Sequence, residues 1–207
     1  MRCFPDEAHG KKKHKHLKEE NMLKYIRLLG VFFVMVFAAA IMMGPQPVTA
    51  ATAAEIDSDV NSSLQKLYDR TPAAKELSKV AKGILVFPGI IKGGLIIGGQ
   101  YGEGALRKEG KTVGYYNTVA ASYGLQAGVQ KFGYALFFLT DSALQYLEKS
   151  DGWEIGVGPS VVIVDEGVAK SLTTTTAKSD IYAFFFDQKG LMAGIGLQGT
   201  KVTRINK

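Results

Sequence analysis

Histidine and cysteine carry most nucleophilic, metal-binding and general-base chemistry, and this chain of 207 residues keeps them all at its front. Cys3 is the one cysteine, and His9, His14 and His16 are the three histidines. A lone cysteine makes no internal disulfide. A chain trimmed at the front would have neither residue type. It would then hold no Ser-His-Asp triad, no thiol nucleophile and no typical zinc site. The remaining motifs fail on context. Gly194-Ile195-Gly196-Leu197-Gln198-Gly199 has GxGxxG spacing, but a dinucleotide site needs a helix and another strand after it, and only eight residues follow. Gly104 to Thr112 has five residues between its glycines where a phosphate loop has four, and reads as a hairpin. Ser63-Leu64-Gln65-Lys66 matches SxxK without a KTG or SDN partner, and Asp165-Glu166 is a carboxylate pair in a turn. Metal, cofactor and enzymatic chemistry are not expected.

Two constellations remain. Lys82, Lys92, Arg107, Lys108, Lys111 and Lys131 cluster in or beside glycine-rich strands. Near an anionic bilayer each Lys or Arg gains about 1 kcal/mol, so such a cluster could hold a domain on a membrane. A scatter of solvated charges is the plainer alternative. Phe87, Tyr115 and Tyr116 are the aromatics that could enter an interface. The second constellation is Gly98-Gly99-Gln100, Gly124-Leu125-Gln126 and Gly196-Leu197-Gln198. Each places glycine and glutamine two apart, on one face of a strand. Gln100, Gln126 and Gln198 either line a narrow groove or satisfy one another where backbones approach closely, which is what interior strand glycines suggest.

The elements that must position these residues follow from periodicity. Ala54 to Arg70 carries Ile56, Val60, Leu64 and Leu67 on one stripe, an amphipathic helix. Thr71-Pro72 supplies a cap and a first-turn proline for a second helix to Lys82, closed by Gly83. Ile84 to Pro88 reads as a short buried strand. Gly94 to Arg107 and Thr112 to Val119 read as strands joined by the turn Lys108-Glu109-Gly110-Lys111. Ser122 to Thr140 reads as one long run, bent at Gly128 or Gly133. A helix over Asp141 to Lys149 follows, then a strand over Trp153 to Val164 and a polar loop at Thr173 to Thr176. Ile181 to Asp187 and Leu191 to Ile205 read as a closing hairpin. The fold class is α+β, N-terminal helices packed on a Gly-rich, mainly antiparallel sheet or partial barrel.

The front of the chain has its own logic. Lys24 and Arg27 precede an uncharged apolar run, Leu28 to Met43. Gly44-Pro45-Gln46-Pro47 then breaks the helix, and Val48-Thr49-Ala50 offers small residues for cleavage. This is the pattern of a secretory signal peptide, with cleavage near Ala50–Ala51; an uncleaved anchor is the alternative. Residues 1–21 are either an over-long positive region or a start upstream of Met22. Domain organisation is then a leader over 1–50 and one domain over 51–207. The leader carries 8 Lys/Arg and 4 Asp/Glu, and the rest carries 17 and 15. Most of the basic excess leaves with the leader, so global charge gives no argument for nucleic acid.

Three stretches resemble the SYLF domain family. They are Ala81-Lys82-Gly83-Ile84 through Gly98-Gly99-Gln100-Tyr101-Gly102-Glu103-Gly104-Ala105-Leu106, the central Ser122-Tyr123-Gly124-Leu125-Gln126-Ala127-Gly128-Val129-Gln130, and Asp180 to Gly194 with Gly199. The resemblance covers about residues 58–205 and is closest to the exported bacterial branch, a lone SYLF domain behind a signal peptide. It implies lipid binding, with phosphoinositide and actin binding in eukaryotic members. No Src-homology or FYVE module accompanies the domain here, and an exported protein meets no actin. Anionic membrane lipids in the periplasmic envelope are therefore the expected partners; the family offers no catalytic residues to carry over. A structural or protein-interaction domain without lipid specificity is the alternative.

Overall fold

The computed structural model describes residues 50–94, 97–123, 128–190, 197 and 199–207. The leader pattern, Gln126 and Gln198 lie outside them, as do Gly124 and Gly196. The described elements belong to one compact unit, Ala51–Lys207. Two helices come first, α1 (Ala53–Arg70) and α2 (Pro72–Ser78). Four long strands follow: β1 (Gly83–Gly94), β2 (Ile97–Lys108), β3 (Lys111–Tyr123) and β4 (Gly128–Phe138). After them come α3 (Asp141–Lys149), β5 (Trp153–Glu154), β6 (Val161–Val164), α4 (Glu166–Ser171), β7 (Ile181–Gly190) and β8 (Lys201–Ile205).

The eight strands form one curled sheet in the order β5-β8-β3-β2-β1-β4-β7-β6. Only β6 and β7 run parallel; every other pair is antiparallel. The fold is thus α+β with a half-barrel sheet, as the sequence leads one to expect. Side chains alternate between two cores. Ile84, Val86, Ala105, Ala135, Phe137 and Phe184 face outward, where Ile56, Val60 and Leu67 of α1 and Leu77 of α2 cover them. Leu85, Phe87, Leu106, Tyr134, Leu136 and Phe138 face inward, with Leu144 and Leu147 of α3 and with Trp153. A sheet covered on both faces explains why β1 begins as an unbroken apolar run rather than an alternating one.

Local chemistry sets the boundaries. Thr52 and Glu55 form a capping box: Glu55 N–H donates to Thr52 Oγ1 at 3.3 Å and Thr52 N–H to Glu55 Oε2 at 2.7 Å. Asp57, one turn in, pins α1 to the sheet by accepting from Thr112 Oγ1 at 2.7 Å and Tyr115 Oη at 3.1 Å. Pro88, which has no N–H, sits inside β1 at a bulge: the register shifts between Val86 and Gly89 toward β2 and between Phe87 and Ile90 toward β4. The bulge turns Phe87 and Ile90, three residues apart, to the same inward face.

Five sequence readings need correction. The second helix ends at Ser78, Thr71 makes no side-chain cap, and Gly83 starts β1 instead of closing a helix. The short strand at Ile84 is a twelve-residue strand that passes through Pro88. The long run at Ser122 divides between β3 and β4. Trp153 to Val164 is two strands, not one: β5 pairs with β8 and β6 with β7, at opposite edges of the sheet. Gly156 and Gly158, at φ of 107° and 87°, make the break. Finally, β7 and β8 do not pair with each other; β7 lies between β4 and β6, and β8 between β3 and β5.

Candidate functional site

The basic candidates fall in three places. Lys82, Arg107, Lys108 and Lys111 lie at the end of the sheet that holds the β2–β3 turn. That turn forms as its sequence suggests, with Glu109 and Gly110 at φ of 50° and 76°. Three of the four cations are already engaged. Lys82 meets Asp141 at 3.7 Å and Lys108 meets Glu148 at 2.6 Å, both on α3. Arg107 folds back on its own hairpin, donating to Thr112 Oγ1 at 3.1 Å and to the Gly110 carbonyl. Thr112 in turn donates to Asp57. A cavity of about 760 Å³ opens here, lined by Lys79, Lys82, Arg107 and Lys108 but also by Glu109 and Asp141. Its charges answer one another.

Lys92 lies inside the half-barrel at 9% exposure. It faces Gln100 of β2 and Gln130 of β4 across the ladder. Gln100 and Gln130 are buried too; Gln100 Nε2 donates to the buried Thr200 Oγ1 at 3.3 Å, while Gln130 Oε1 has no partner among the described residues. Gln100 is thus an interior side chain in a polar row. The row's second amide is Gln130, which repeats the Gly–Gln spacing as Gly128-Val129-Gln130, a fourth instance beside the three named from sequence. Nearby glycines are small because backbones approach there. A Cβ on Gly104 would stand 2.0 Å from the Val86 carbonyl oxygen, and one on Gly102 would stand 2.6 Å from Ile90 Cγ1. The bulge that turns Phe87 and Ile90 inward fills the space over both.

Lys131 stands on the outer face, and only register reveals its neighbours. Reading across six strands, Lys201 faces Val119, Val119 faces Tyr101, Tyr101 faces Ile91, Ile91 faces Lys131, and Lys131 faces Lys189. Directly opposed residues point the same way, so this is one belt. Its centre is apolar and open to solvent: Ile91 is 59% exposed, Tyr101 50% and Val119 44%. Its flanks are three exposed lysines, none in an ion pair among the described residues. Tyr101 Oη donates to Glu103 Oε1 at 2.7 Å; burial and then that carboxylate push the phenol up to about 12, so it stays protonated. Lys66 of α1 joins Lys131 and Lys189 around a small cavity of about 250 Å³, together with Asp59 and Asp187.

The three aromatics that sequence offered to an interface are elsewhere. Phe87 and Tyr116 are core residues, and Tyr115 is half-buried against Asp57. The belt escaped the sequence because its members are 91, 101, 119, 131, 189 and 201, which only strand order makes neighbours.

Residues 119–207 match the family model Ysc84, described as Las17-binding protein actin regulator. The match agrees with the SYLF resemblance and covers β3 onward; the Ala81 to Leu106 stretch of the resemblance lies before it. The comparison with curated proteins gives no match.

Proposed function

We propose that this chain, SYLF-like by its Ysc84 match, is a non-enzymatic domain that binds anionic lipid at a membrane surface of the bacterial envelope. The belt is the observation that carries the reading. Three lysines without ion-pair partners among the described residues, level with one another on one face, put several favourable contacts of about 1 kcal/mol each against an anionic surface. The cations at the β2–β3 end support it less, because α3 acids and the hairpin itself already engage them. The actin-regulator wording belongs to the family description; export through the leader pattern would remove this chain from actin. No helix among the described residues is long and apolar enough to cross a membrane, which suits a peripheral mode of contact.

Vesicle flotation tests the reading. The protein should float with vesicles containing phosphatidylglycerol or cardiolipin, and weaken steeply with salt, because screening at physiological ionic strength acts within roughly 8 Å. Combined Lys131→Glu, Lys189→Glu and Lys201→Glu should abolish flotation with an unchanged melting midpoint. Reversing Lys149, Lys170 and Lys178, exposed but off the belt, should change it little. Equal loss from both sets would mean net charge alone matters. Absence of flotation at low salt would favour a protein-interaction domain.

A further inference from the structure

The lysines explain attraction, but not why the middle of the belt and the described outer face beyond it carry no charge. Beyond the belt, away from the helices, the outer face presents Gly93, Gly99, Ala121, Val129 and Ile97. Val129 is 69% exposed and Ile97 74%, the two most exposed large apolar side chains among the described residues. The described strand ends Gly94, Ile97, Tyr123, Gly128 and Gly190 lie at this end, in the sequence stretches 93–102, 119–130 and 190–200. None contains an Asp, Glu, Lys or Arg. On the other side of the belt the same face turns charged at once, with Glu103, Asp59 and Lys66. A strand end left simply in water has no reason to avoid charge over three separate segments, and edges of soluble sheets use charge to stay apart.

We infer that this uncharged end penetrates the membrane interface, with the belt lysines at the level of the lipid head groups. The inference rests on the lipid-binding reading and adds to it a depth and an orientation. From Ile91 to Gly94, where β1 ends, is three residues, about 10 Å at 3.3 Å per residue, which compares with the roughly 5–10 Å by which amphipathic elements sink into the head-group and acyl boundary. At this end β1 and β2 are paired on both sides, whereas β3 beyond Val119 pairs with β2 alone and β4 before Gln130 pairs with β1 alone. The N–H and C=O groups of β1 and β2 are bonded within the ladder, while the open sides of β3 and β4 need water or head-group partners, which limits the depth to the polar interface. A lipid interface is the occupant that matches cations held at one level around a curled sheet above an uncharged end.

The test uses the full chain with phosphatidylglycerol–phosphatidylcholine vesicles and reporter tryptophans. Trp153 is 2% exposed and gives a constant background. Val129→Trp lies at the proposed inserted end, and Val80→Trp, at the other end of β1 and 45% exposed, is the control. Vesicles should blue-shift Val129→Trp, and acyl-brominated lipid should quench it, with neither effect on Val80→Trp. Combined Ile91→Ser and Val129→Ser should weaken partitioning at least about tenfold at fixed salt, from the lost burial of two aliphatic side chains. Flotation without quenching of Val129→Trp would overturn penetration while leaving surface binding intact. Absence of flotation would overturn both. A concentration-dependent dimer that the serine pair dissociates would overturn the inference by assigning the face to a second copy of the chain.

Discussion

Gly104 has no room for a methyl group, since its Cβ would sit 2.0 Å from a backbone oxygen that cannot rotate away. Gly104→Ala should therefore destabilise by about 1–3 kcal/mol through overpacking, read as a lowered denaturation midpoint. Gly99, whose nearest obstacle to a Cβ is 3.7 Å away, should tolerate alanine far better at the same measurement. Sequence makes this close approach legible as a run of glycines, yet not which glycines matter, because the Pro88 bulge decides that. Asp180 offers a second test at this scale. The Ser160 N–H at 3.0 Å, then the Ser160 and Thr140 hydroxyls, hold its carboxyl below the ordinary range. A lowered folded-state value means stability that is present above the unfolded value near 3.9 and is lost as pH falls through the folded one. Asp180→Asn should flatten that acid limb of the stability curve and leave its shape near neutral pH unchanged; an acid limb as steep as before would refute the assignment.

Elements differ in how far the chain alone discloses them. Helices α1 and α3 are legible to within a residue, since stripe and cap are local, and Thr140 caps α3 through Ala143 N–H at 3.3 Å. The β2–β3 hairpin is legible because Glu109-Gly110 fixes its turn. What its basic residues do is not, because Asp57, Asp141 and Glu148 come to it from other elements. A consequence separates two neighbouring cations. Arg107→Glu removes the side chain that ties Thr112 and Gly110, and sets a carboxylate beside the Thr112–Asp57 bond that docks α1. It should lower the melting midpoint by several degrees, for a loss of about 1–3 kcal/mol. Lys111→Glu, exposed at the tip, should leave it within a degree or so. The Trp153 to Val164 and closing-hairpin readings fail for a shared reason: adjacency in sequence predicts pairing, and here strands paired earlier, β3 and β4, capture the late ones.

At the scale of the molecule, α+β with helices first is legible from order alone, whereas the belt needs the complete strand order. The last residue reaches back to the start of α1 near that belt: Lys207 Nζ donates to the Ala51 carbonyl and to Glu103 Oε2, each at 2.8 Å. A product beginning at Ala51 would retain this tie and the Thr52 capping box. Intact-mass measurement of envelope fractions should then give a species lighter than the 22.4 kDa chain by its first fifty residues. Trp153–Glu154 and Val161–Val164 sit on the two outermost strands, yet only residues 155–160 join them. Seven Cα steps reach about 25 Å at full stretch, while eight strands laid flat would hold those edges about 34 Å apart. The connection is a drawstring: its length forbids a flat sheet and sets the largest opening of the trough that α3 occupies. Its ends are knotted, by Ile155 to Thr200 at 2.8 Å and by Ser160 to Asp180. Lengthening it with a short Gly-Ser insertion after Val157 would cost little as a loop, but would let the hoop slacken and the two outer strands part.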